Sequence, residues 1–137
     1  PNHFHFILKQ LSTNGISNYL HRLTDSFARY FNVKTKNTGG LFESNFKSVY
    51  VEDDSQLIHL SRYIHLNPVT GFLVNKPEEY RYSSYNSYID IADNLNQFVK
   101  PNIVLDQFTS RSDYQKFVND RIDYQRELKR IEHLALE

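Results

Sequence analysis

The sequence predicts an α+β fold, an antiparallel sheet with helices packed mainly on one face, and three patterns predict it. The opening run His3-Phe4-His5-Phe6, continuing to Leu8, alternates polar and apolar residues with the two-residue period of a strand. Phe46 to Val51 alternates again, with Phe46, Ser48 and Tyr50 on one face and Lys47, Val49 and Val51 on the other. Between them Ile16, Leu20, Leu23, Phe27 and Phe31 recur at three- and four-residue spacing, which marks a helix from about 16 to 32 whose apolar face should lie on the sheet. An unpaired sheet edge invites pairing, so dimerisation or a compensating segment is expected, and monomer and homodimer both stay open.

In the first strand His3 and His5 point the same way while Phe4, Phe6 and Leu8 point the other. Ser12 to Gly15 reads as a loop, with Asn14 or Ser17 as candidate cap for the first helix. Arg22 and Arg29, seven apart, align on the side of that helix away from the apolar stripe, where phosphate contact and simple solvation both fit. Lys34 to Gly40 is polar and suits a turn. Glu52-Asp53-Asp54-Ser55 places acids and a cap candidate at the head of a second helix, with Leu57, Leu60 and Ile64 as its core stripe. Pro68 should end or restart that helix at Asn67, and Gly71 should close the turn. Lys76 to Ile89 is dense in Tyr and Ser. It reads as an irregular segment whose tyrosines fill a core without Trp, or stack on bases beside Arg81. From 112 to 136, Tyr114, Phe117, Val118, Ile122, Leu128 and Ile131 predict one long amphipathic helix, a C-terminal extension of a single domain spanning 1–137.

Composition narrows the function classes. A chain of 137 residues with 39% hydrophobic and 15% aromatic residues can build one domain whose core leans on Tyr and Phe. No run is long and apolar enough to span a membrane, and no signal-peptide pattern appears. The absence of Cys removes disulfides and thiolate metal sites and suits a cytoplasmic protein. Net charge is zero, but residues 1–51 carry six Lys and Arg against Asp25 and Glu43, a balance of +4, so the remainder carries −4. A basic half of that kind is what a phosphate-binding surface needs, although a solvated face explains it almost as well. The basic residues assigned to a DNA surface are Arg22, Arg29, Lys34, Lys36, Lys47 and Arg62. Because the first residue is Pro, the chain is expected to begin inside a longer protein.

Two imidazoles on one strand face, held about 6 to 7 Å apart by the strand rise, can converge on one cation. On the second helix Tyr63 and Asn67 are four apart and share a row with His59, while His65 falls on nearly the opposite side. The chemistry such an assembly suits is phosphodiester transfer. A divalent cation held by His3, His5 and the Asn67 carbonyl oxygen would polarise a phosphate oxygen, and Tyr63 would attack phosphorus to leave a phosphotyrosine. A phenol with a pKa near 10 needs a cation or a base to lose its proton, and no basic side chain near Tyr63 in sequence is an obvious base. Asn67 has a second reading, as cap of a short helix beginning at Pro68. His59 and His65 read as structural.

Four stretches carry a resemblance: Pro1-Asn2-His3-Phe4-His5, Gly40 to Ser48, Ser61-Arg62-Tyr63-Ile64-His65-Leu66-Asn67-Pro68-Val69, and Tyr82-Ser83-Ser84-Tyr85. In order and spacing they resemble the REP-associated tyrosine transposases, single-tyrosine members of the HUH group. The resemblance is strong over residues 1 to about 90 and weak beyond. It implies a ferredoxin-like (RRM-like) HUH fold lacking the family's first strand, helix and strand. It also implies a DNA strand transferase that cuts single-stranded DNA near hairpins with Mg²⁺ or Mn²⁺, leaving a 5′-phosphotyrosine and a free 3′ hydroxyl. Position by position, His3 and His5 take the metal-ligand role with Phe4 between them, Tyr63 the nucleophile role and Asn67 the third-ligand role. Thr70-Gly71 stands where the family usually has a basic residue and Ala, and Asn45 where Arg is common, so two DNA contacts are weakened. Tyr82 replaces the usual Trp. Two other readings are a catalytically silent hairpin-binding remnant and a metal-dependent phosphoesterase that activates water at the histidine pair.

Overall fold

The computed structural model of the chain describes residues 3–91 and 98–127. It divides into two compact units, Pro1–Tyr50 and Val51–Glu137. Among the described residues there are helices and no strands, which overturns the expected antiparallel sheet and with it the ferredoxin-like arrangement. Residues 3–11 and 46–51, the two expected strands, carry no regular secondary structure. Alternation supplies only the side-chain half of a strand. The other half is a ladder of N–H and C=O groups on a neighbouring segment, which no local pattern encodes.

The first unit is built on α1 (Gly15–Thr35). Asn14 occupies the cap position in the left-handed region (φ 57°), and its side chain does not cap. Leu20 is the buried member of the expected stripe; Ile16 and Phe31 are half-buried, and Leu23 and Phe27 stay exposed. The helix therefore has its predicted stripe without the predicted sheet beneath it. Phe27 instead meets Phe31 and Phe42, and Phe42 meets Phe4, with ring centroids 6.1 to 6.3 Å apart. At the other end Lys36 takes a left-handed turn (φ 56°), and the Asn37 N–H returns to the Asn32 carbonyl.

The second unit is organised by α2 (Asp54–Thr70). Within the stretch expected to hold a cap, Asp53 is the residue that caps it, its carboxylate accepting from the Gln56 N–H at 2.7 Å. The helix does not stop at Asn67: it runs through Pro68 to Thr70. Pro68 removes one N–H, a loss that is tolerable in a last turn whose carbonyls are taken up from beyond it. Leu73 N–H bonds the Pro68 carbonyl, Phe72 N–H bonds that of Val69, and Phe72 rather than Gly71 takes the left-handed residue (φ 55°). Arg126 adds to this end, donating weakly to the Val69, Val74 and Asn75 carbonyls.

The face that α2 buries also differs from the expected one. Leu57, Ser61, His65, Leu66, Pro68 and Val69 are buried, whereas Leu60 and Ile64 are only half-buried. The packed face is turned by roughly a quarter-turn, about one residue step, from the apolar stripe Leu57-Leu60-Ile64. Against α2 pack a 3-10 turn (Pro77–Glu79), α4 (Asn102–Leu105) and α5 (Arg111–Asn119), and the 3-10 turn also meets α3 (Tyr85–Tyr88). The Tyr-rich segment is thus irregular with two short helical turns. Tyr85 and Tyr88 are buried, Tyr80 is half-buried and Tyr82 is exposed, so only part of the cluster fills the core. Ser110 caps α5, accepting from the Asp113 N–H. The long helix expected over 112–136 is broken at Asp120 and Arg121; helix resumes at 122–127, and 128–136 lie outside the described residues.

Candidate functional site

The predicted site residues fall in both units. In the first, His3 and His5 come together: their ring centroids are 5.1 Å apart with the planes nearly perpendicular. Partial burial, and then the charge of His3 beside it, lower the His5 pKa below its ordinary value. Both causes favour the neutral imidazole, which is the form that binds a cation. The pair supplies two nitrogen ligands. Among the described residues no group of three or more His, Asp or Glu side chains is placed to hold a metal.

In the second unit Tyr63 and Asn67 stand in one row of α2 that faces away from Ser61 and His65. Tyr63 is 49% exposed. Asn67 is half-buried and lies inside the helix, which removes the reading of it as cap of a new helix at Pro68. Its main-chain carbonyl accepts from the Thr70 hydroxyl and the Gly71 N–H, while its carboxamide has no hydrogen-bond partner among the described residues. His59, the third member of the row, is engaged: its Nδ1 accepts from Arg62 Nη2 at 2.8 Å, and its ring lies 5.5 Å from that of Phe117.

Of the assigned basic residues, Arg22, Arg29, Lys34, Lys36 and Lys47 are exposed in the first unit. Lys34 donates to the Tyr30 hydroxyl at 3.1 Å and sits over that ring. Arg62 behaves differently. Its guanidinium lies 4.2 Å from the centre of the Phe117 ring and donates to the Phe117 carbonyl, so it packs α2 to α5. Burial, then Arg121 nearby, lower its pKa.

Beyond the expected site residues, α2 carries a polar interior on the side opposite Tyr63. Ser61 Oγ is 2.6 Å from Tyr114 Oη, Tyr114 Oη is 2.6 Å from His65 Nδ1, and His65 Nε2 is 2.9 Å from Ser84 Oγ. The His65 ring also meets Tyr88 edge-on at 4.6 Å and Tyr85 at 5.4 Å. Burial lowers the His65 pKa to about 3 and pushes Tyr114, Tyr85 and Tyr88 upward. The available signal was the row Leu57, Ser61, His65, Val69 at four-residue spacing, masked because its middle members are polar. No protein-family model, curated protein or solved structure matches the chain.

Proposed function

We propose that the chain is a metal-dependent DNA strand transferase of the single-tyrosine HUH type, acting in the cytoplasm on single-stranded DNA near hairpins. The observation that carries this reading is the outward row of α2: a half-exposed phenol, Tyr63, with an uncommitted carboxamide, Asn67, one turn on. The four linked motifs that surround it in the sequence give the row its context. Tyr63 Oη attacks phosphorus, the bond from phosphorus to the 3′ oxygen breaks, and the leaving oxygen takes a proton. The products are a 5′-phosphotyrosine and a free 3′ hydroxyl. His3 and His5 would supply imidazole ligands to Mg²⁺ or Mn²⁺, an ion that would stabilise charge at the phosphate and help a phenol ionise. The exposed Arg22, Arg29, Lys34, Lys36 and Lys47 neutralise backbone phosphates.

The test is incubation of the chain with hairpin-bearing single-stranded DNA and either ion. A covalent protein–DNA adduct is expected from the native sequence and none from Tyr63→Phe. An adduct that persists in Tyr63→Phe removes the nucleophile assignment. Cleavage without adduct favours a phosphoesterase working at the histidine pair, and binding without cleavage favours a silent hairpin-binding domain. Sedimentation of the same samples distinguishes monomer from homodimer.

A further inference from the structure

Two stripes on α2 compete to be its packed face. The apolar one, Leu57-Leu60-Ile64, is what hydrophobicity alone selects. The one that is packed runs through Leu57, Ser61, His65 and Val69, with two polar side chains at its centre, exposed by only 1% and 2%. Burying polar groups in preference to Leu and Ile costs free energy unless every donor and acceptor is met. Here they are met. The hydrogen bonds run from Ser61 through Tyr114 and His65 to Ser84, and a neutral imidazole is the group able to accept at one nitrogen and donate at the other. The chain of protons can run in either direction: from Ser61 it uses the Ser61 and Tyr114 protons and the His65 N–H, and from Ser84 the Ser84 and Tyr114 protons and the His65 N–H. Among the described residues the groups that face His65 are Tyr114 of α5, Tyr85 and Tyr88 of α3, and Ser84 just before α3, with no carboxylate among them.

We propose that His65 is the positioning residue of the α2 row: by bridging Tyr114 and Ser84 it sets the rotation of α2 about its axis and so decides that Tyr63 and Asn67 face outward. A buried polar group that selects one register among apolar alternatives is a recognised use of such networks. The alternative register differs by about 100°, one residue step. Turning the Leu57-Leu60-Ile64 stripe inward would carry Asn67 into the packed face and Tyr63 to its edge. The inference rests on reading Tyr63 and Asn67 as the functional row, but its test does not use DNA.

Because the chain has no cysteine, single thiols report which way α2 faces. Tyr63→Cys and Asn67→Cys are each placed in the full chain and their rates of reaction with a thiol reagent measured. The same is done with His65→Leu, Tyr114→Phe or Ser84→Ala added, and helicity is checked by circular dichroism. With the network broken and helicity retained, the thiol at position 67 is expected to react at least tenfold more slowly, with a smaller slowing at 63. His65→Gln, whose carboxamide also donates and accepts, should restore most of the native rate. Unchanged rates at both positions in the folded variants would overturn the proposal. If His65→Leu does not fold, Ser84→Ala, which removes one partly buried hydroxyl and no core volume, decides the matter. If the native chain forms no DNA adduct, the transferase reading falls while the thiol rates still judge the role of His65.

Discussion

A histidine with 2% of its surface exposed, hydrogen-bonded only to hydroxyls and packed against tyrosine rings, stays neutral in mild acid. Burial lowers its pKa to about 3 from an ordinary value near 6.5. Between those values the unfolded chain takes up a proton that the folded chain refuses, so acid favours unfolding. From this one group, stability falls by about 1.4 kcal/mol for each pH unit below roughly 6.5, until the folded pKa is reached. His65→Gln should flatten the fall in melting temperature between pH 6.5 and 4, even though it lowers the melting temperature at pH 7.5. A fall as steep in the variant as in the native chain would show that other groups carry the acid sensitivity. At this scale the sequence was informative where residues are near one another in the chain: His3 meets His5, and Tyr63 and Asn67 share a row of α2. It marked His65 as structural without its partners, since these lie far along the chain, Tyr114 being 49 residues away.

Helices were legible as elements because their signals are local. The acids at the head of α2 and the apolar recurrence in α1 lie within a few residues of what they control, whereas the Ser110 cap of α5 was not among the expected signals. Asp53→Ala should cost about 1 kcal/mol, read as a lower urea midpoint with unchanged slope, because the Gln56 N–H loses its acceptor. A midpoint unaltered by the change would mean that the first turn of α2 frays in the native chain. Which face α2 buries was not legible. Leu60 and Ile64 are more apolar than Ser61 and His65, and only the partners on α5 and before α3 make the polar pair the better choice. Pro68 misled for a related reason: its cost depends on what lies beyond it, and the Phe72 and Leu73 N–H groups are there to finish the helix.

For the molecule as a whole, the expected sheet failed because pairing is a property of two segments and the sequence shows each alone. The first unit keeps one buried apolar side chain, Leu20, among the described residues, and leaves Phe4, Phe6, Phe27 and Phe42 substantially exposed. The second holds the close-packed interior, centred on Leu66, Val69, Tyr85, Val104, Tyr114 and Val118. That interior has an optical consequence. With no Trp and ten Tyr, the near-ultraviolet absorbance of the chain is tyrosine absorbance, and burial pushes Tyr85, Tyr88 and Tyr114 above the ordinary phenol range. An alkaline titration can be followed at the tyrosinate band. These three should ionise together in a later, steeper step that coincides with loss of helicity, because a phenolate cannot form in that interior while it stays closed. A single smooth titration of all ten would contradict it. The packing of one small core would thus be read as colour, without a label or a ligand.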